Sequence, residues 1–325
     1  MGTDRLRHRA GSRPRARQPR AGSRPRTRQP RAGFALALAL AVAAAGTAGC
    51  GAGPPSSAAT KPRHRAGAKP LPVVASTYPL SRLVSYVGGP EVSVVDLVPP
   101  GERAQGLSLS PGQRAELGRA KLVVDVGDGY QAQVEAAARR APMHLSVLPA
   151  ISKQARPYEF WLDPKLMSRA ADAIARALAK ADPASKRQFH NGDLDFQSVA
   201  ESIESDFVNT FTTCPKTVFV TSDGAFGRMA ADFGLVDIVV GTEGVKKAVA
   251  AVAKYSLSGV FEETGVPAGP VEQVARATRA GIKTLDPMEM TPAPSVKPLS
   301  YFSVMEQNLA ALEGPLACDT TENFS

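Results

Sequence analysis

The stretch "LPVVASTYPLSRLVSYVGGPEVSVVDLV" (residues 71–98) reads as strand, helix, strand. Residues 71–77 are mostly apolar and β-branched, as a buried strand should be. "PLSRLVSYVGG" then spaces its apolar residues for a helix and closes on glycine. "VSVVDLV" (92–98) is a second strand, stopped by Pro99-Pro100-Gly101. A strand–helix–strand unit of this length implies parallel pairing with the helix laid on one face. The alternation continues: "SPGQRAELGRA" (110–120) opens with Ser110 as N-cap and Pro111 at the first helical position. "KLVVDVG" follows as a strand, "YQAQVEAAARR" as a helix and "HLSVLP" (144–149) as another strand.

Residues 164–211 carry no strand signal. Leu166, Ala170, Ile174 and Leu178 recur at helical spacing, as do Val199, Ile203 and Phe207. Two successive helices are expected, the second long, with an irregularity at "HNGD" (190–193) because glycine weakens a helix. Strands then return at 217–221, 236–240, 257–262 and 282–286, with helices at 225–233, 243–255, 269–280 and 301–312. The expected fold is α/β: two lobes, 71–163 and 212–325, each a parallel sheet flanked by helices, joined by linking helices at 164–211.

The region upstream differs in kind. Residues 1–33 hold eleven Arg and one Asp, and "AGSRPRARQPR" (10–20) recurs as "AGSRPRTRQPR" (21–31). This segment supplies the formal net charge of +9, while the chain from residue 70 on is mildly acidic. A nucleic-acid-binding face on the globular part is therefore not supported. "FALALALAVAAAGTAGC" (34–50) is uncharged, apolar and shorter than a membrane span, as in a secretory signal. Residues 1–49 thus read as a basic n-region and signal peptide. "TAGC" resembles a bacterial lipobox, which implies lipid attachment at Cys50; cleavage nearby without lipid is the alternative. Residues 50–70, rich in Gly, Pro, Ala and Ser, read as a flexible tether. Cys214 and Cys318 then form an even pair in an oxidising compartment, where a disulfide and two separate thiols are both open.

Along most of 72–313 the chain resembles the substrate-binding proteins of zinc and manganese ABC importers. The matching segments are "VVASTYPL", "DLVPPGERAQGLSLSP", "FWLDP" (160–164), "TSDGAFGR" (221–228), "GIKTLDPME" and "YFSVMEQNLAAL". The resemblance implies a divalent cation held between the lobes, two ligands from each. Position by position, those ligands fall on Gln105, Glu159, Asp223 and Asp286, with Glu263 near the site. None of the four is histidine. The histidines are His8, His64, His144 and His190; the first two lie in the tail and tether, and the others read as structural.

An all-oxygen set suits manganese, magnesium or calcium better than zinc, which prefers nitrogen and sulfur. Three carboxylates overcompensate a divalent ion by one charge. Unpaired, they would repel and recruit a proton or a cation; Arg228, five residues after Asp223, is the candidate cation. The resemblance implies an exported, membrane-anchored solute-binding lipoprotein that passes a divalent cation to an ABC permease and acts as a monomer. The alternative is a metal-free accessory protein on the same scaffold. No nucleophile elbow, Cys/His pair or phosphate-binding loop points to an enzyme.

Overall fold

A computed structural model describes residues 69–153, 158–297 and 299–319. The basic repeats, the signal segment, Cys50 and most of the tether lie outside the described residues.

The first lobe runs β1 (Leu71–Ala75), α1 (Tyr78–Gly88), β2 (Val92–Asp96), α2 (Pro111–Arg119), β3 (Leu122–Asp125), α3 (Ala132–Ala138), β4 (His144–Ser146) and α4 (Val147–Ile151). Its sheet is fully parallel in the order β2-β1-β3-β4, with Val73 opposite Val94 and Leu122. Two long helices follow, α5 (Pro164–Ala181) and α6 (Lys186–Thr212). The second lobe runs β5 (Val218–Thr221), α7 (Gly227–Asp232), β6 (Val236–Val239), α8 (Val240–Glu243), α9 (Val245–Tyr255), β7 (Gly259–Glu263), α10 (Gly269–Thr278), β8 (Gly281–Leu285) and α11 (Tyr301–Leu316). Its sheet, β6-β5-β7-β8, is also parallel.

The same strand order in both lobes leaves the first strand of each flanked by its second and third. One apolar core runs through the first lobe and the linking helices into the second, reaching Phe219, Phe226, Phe261 and Met288. A smaller core of Val240, Val252, Val260, Val271 and Val274 lies under α9 and α10. Cys214, just past α6, is joined by a disulfide to Cys318, just past α11. The C-terminal helix is thereby fastened to the start of β5.

Three elements differ from the sequence-based expectation. β4 stops at Ser146, and residues 147–151 coil into α4 so that Val147, Leu148 and Ile151 are buried together. The helix expected at 243–255 divides at Gly244, whose φ of 83° starts a new helix. The "HNGD" stretch does not interrupt its helix, since α6 is continuous over 27 residues. Gly192 is there for packing: a Cβ at that position would stand 2.3 Å from the backbone oxygen of Val87 in α1.

That contact yields a prediction. Alanine is favoured over glycine inside a helix by about 1 kcal/mol. Here the gain is outweighed, because the obstructing atoms are backbone and yield only if α1 and α6 separate; overpacking costs about 1–3 kcal/mol. Gly192→Ala should lower the unfolding free energy by up to about 2 kcal/mol in urea melts. Unchanged or increased stability would mean that the two helices can move apart freely.

Candidate functional site

Both sheets turn carboxyl strand ends toward the space between the lobes, where open parallel sheets gather their functional groups. A cleft of about 420 Å³ opens there, lined by Arg103, Gln105, Tyr158, Glu159, Asp223, Gly224, Ala225 and Glu289. Its polar groups come from four segments.

Arg103 and Gln105 lie on the loop between β2 and α2. The Arg103 backbone forms an isolated antiparallel bridge with Met290, and the Gly101 N–H donates to the Thr291 oxygen at 2.8 Å. Glu159 immediately precedes the short 3-10 turn Phe160–Leu162, and its side chain makes no capping bond to it. The ring of Trp161 in that turn donates Nε1–H to the Pro287 oxygen at 2.7 Å, across to the second lobe.

Asp223 sits in a turn fixed from several sides. The Ser222 hydroxyl accepts the Glu263 N–H at 3.0 Å, and the Ser222 oxygen accepts the Gly241 N–H at 3.0 Å. Gly224 has φ 88°, and a Cβ there would meet Val239 at 2.7 Å, so glycine is needed twice over. This turn leaves the Asp223 side chain about half exposed and directed at Arg103.

The fourth segment is the loop after β8. Asp286 is used locally: its Oδ1 accepts the Met288 N–H at 2.8 Å, while its backbone bonds both ways with the Asn308 amide. Met288 adopts φ 56°, and the reversed chain carries Glu289 into the cleft. The structure therefore places Glu289, rather than Asp286, in the cleft wall. The signal was present in "DPME", where two acids stand three residues apart and only one can face the cleft.

The cation in the cleft is Arg103. Its Nη2 donates to Asp223 Oδ2 at 2.9 Å and also to Glu289 Oε2. Arg228 is buried on α7 and does not line the cleft. His144 pairs with buried Asp125 at 2.5 Å, and His190 lies within α6, so neither reaches the cleft. Among the described residues no three acids, histidines or cysteines form a ready-made cage for a metal ion.

Behind the cleft wall lies a layer of buried acid. Glu263, at the end of β7, is 2% exposed and accepts the Gly224 N–H through Oε1 at 3.2 Å. Its Oε2 and the Oδ2 of Asp237 are buried without a hydrogen-bond partner. Burial, reinforced by Asp237, pushes the Glu263 carboxyl up to about 8. Burial also raises Asp237 to about 7, outweighing a hydrogen bond from Thr221. Glu159 rises to about 7, chiefly by burial, with Glu289 and Asp223 adding to it.

Residues 73–314 match the model of the ZnuA family, described as zinc-uptake complex component A, periplasmic. A putative metal-binding protein of Treponema pallidum is 26% identical over 276 residues, covering 74% of this chain and 85% of that protein. The high-affinity zinc uptake system protein ZnuA of Bacillus subtilis is 25% identical over 166 residues; the match covers 48% of this chain and about half of that protein, 52%. The laminin-binding protein Lmb of Streptococcus agalactiae, described as an adhesin with metal-transporting activity, superposes with a TM-score of 0.68. It is 24% identical, over 76% of this chain and all of that one. At that identity the likeness carries the fold.

The buried acids make stability depend on pH in a definite direction. Their folded-state values lie above the unfolded ones of about 3.9–4.3, so their protonated forms are favoured by folding. Their contribution is complete below the unfolded values and is lost as pH rises through 7 to 8. The melting temperature should therefore fall between pH 5 and 8.5, and Glu263→Gln, which stays neutral, should flatten that slope. A melting temperature that climbs over the interval would contradict the burial of these acids.

Proposed function

The chain belongs to the ZnuA family, the periplasmic component A of zinc-uptake complexes, and from that premise we propose that it captures a divalent cation in the cleft for an ABC importer. The observation that carries the reading is the convergence of Glu159, Asp223 and Glu289 from both lobes on one water-accessible cleft. Carboxylates concentrated at such a place hold a cation or repel one another. Gln105 offers a fourth oxygen. We take Glu289 as the acid of the last segment, because Asp286 is already engaged with Met288.

Oxygen donors alone favour manganese, magnesium or calcium. Zinc also accepts carboxylate oxygen, and the Bacillus subtilis relative is named for zinc uptake. The partner in this reading is a membrane permease with its ATPase. Anchoring through lipid on Cys50 would keep the protein at the outer face of the membrane, where it acts as a monomer. Among the described residues no helix is long and apolar enough to cross a membrane.

One observation favours a second reading. Arg103 already pairs with both Asp223 and Glu289 and offsets one of their two charges, a resident counter-charge that a metal-free accessory protein on this scaffold would need.

Titration of the purified protein with manganese, zinc, calcium and magnesium separates the two readings. A ligand at a hundredfold its Kd stabilises the folded state by about 2.7 kcal/mol. At least one ion should raise the melting temperature, and Asp223→Ala should abolish the rise. No shift with any of the four ions would favour the metal-free reading.

A further inference from the structure

We propose that Arg103 is a tethered cation occupying the capture site, so that an incoming divalent ion must displace its guanidinium and binds by exchange. This rests on the capture reading given above.

The Arg103 guanidinium already makes two of the contacts that a captured ion would make, those to Asp223 and Glu289. One nitrogen is shared between Asp223, which follows β5, and Glu289, beyond β8. An ion coordinated by Asp223 Oδ2 would stand about 2.0–2.6 Å from that oxygen. Nη2 is 2.9 Å from the same atom. Two cations sharing that oxygen stand at most about 5.5 Å apart, the sum of the two distances, and repel each other there. Arginine does not lose its proton in a protein. The guanidinium can therefore yield the site only by moving.

The backbone is held by main-chain bonds, while the side chain is held only by its two ion pairs. The bridge to Met290 and the Gly101 hydrogen bond to Thr291 fix the main chain on both sides of the loop tip. Ala104 is 1% exposed, and its oxygen accepts the Gln131 Nε2–H at 2.9 Å. The Arg103 side chain is 33% exposed, so it has an open path to water through the cleft mouth. A fixed main chain with a long side chain on open ground is the arrangement a displaceable arm needs.

Exchange also sets selectivity by charge. Sodium and potassium bring no more charge than the guanidinium they would replace, and none of its hydrogen bonds. A divalent ion brings twice the charge to the same two carboxylates, with Glu159 and Gln105 beside them. Among the described residues no three acids, histidines or cysteines form a metal cage, in keeping with Asp223 and Glu289 being arranged around a guanidinium rather than a smaller ion.

The test compares the unmodified protein with Arg103→Gln and Arg103→Lys by isothermal titration with manganese and with zinc at fixed ionic strength. Arg103→Gln removes the resident charge and should bind at least tenfold tighter. Arg103→Lys keeps it and should remain within about threefold of the unmodified protein. If the unmodified protein binds and Arg103→Gln binds equally or more weakly, displacement is overturned while the capture reading stands. If Arg103→Lys tightens as much as Arg103→Gln, the resident charge is not what an ion displaces, and the proposal also falls. If none of the three binds either ion, both readings fail together. A measurement on the unmodified protein guards against misfolded variants: the Arg103 side-chain NMR signal should shift on zinc addition to that of a solvated guanidinium. A signal unmoved at saturation would refute displacement.

Discussion

The relation between the lobes depends on one long helix. At 1.5 Å per residue, the 27 residues of α6 extend about 40 Å, long enough to serve both halves. Toward its start, Phe196 packs against Tyr86 of α1 and against Tyr301 of α11. Toward its end, Phe207 and Phe211 pack on each other and on Phe233 beyond α7. Gly192 lets the backbone of α6 touch that of α1.

Charge is the second constraint. The cleft gathers Glu159, Asp223 and Glu289, with Glu263 and Asp237 behind them. Proteins keep such groups together by neutralising them. Two devices divide the work here. Arg103 takes the outer pair, Asp223 and Glu289, by direct contact. Burial pushes the inner acids, Glu263 and Asp237, toward their protonated forms, and each has one buried oxygen without a hydrogen-bond partner. The outer pair lies in the loops after β5 and β8, and the inner acids lie on β7 and β6.

The fold was largely legible in the sequence because most strands are short apolar runs and the longer helices carry a period, with side-chain N-caps at Ser110, Asp163 and Ser300. The elements that escaped were decided by tertiary contact. β4 yields to α4 because burial of Leu148 and Ile151 outweighs β-propensity. Gly192 resembles a helix breaker until α1 is known to lie against it. The cleft was legible in part: Gln105, Glu159 and Asp223 all line it. Asp286 and Glu289 differ only in which way a loop turns at Met288, and a positive φ at a non-glycine residue leaves no mark in composition. The sequence pointed to Arg228 as the cleft's cation, and the bridge of Arg103 to Met290 with its ion pairs shows that Arg103 faces the acids instead.

Trp161 is the protein's single tryptophan. Its indole is 1% exposed and bonded across the cleft to Pro287, two residues before Glu289. The chain therefore contains a native optical probe at the seam between its lobes. Its ultraviolet emission, whose wavelength depends on contact with water, registers any parting of that seam without an added label and without interference from a second indole.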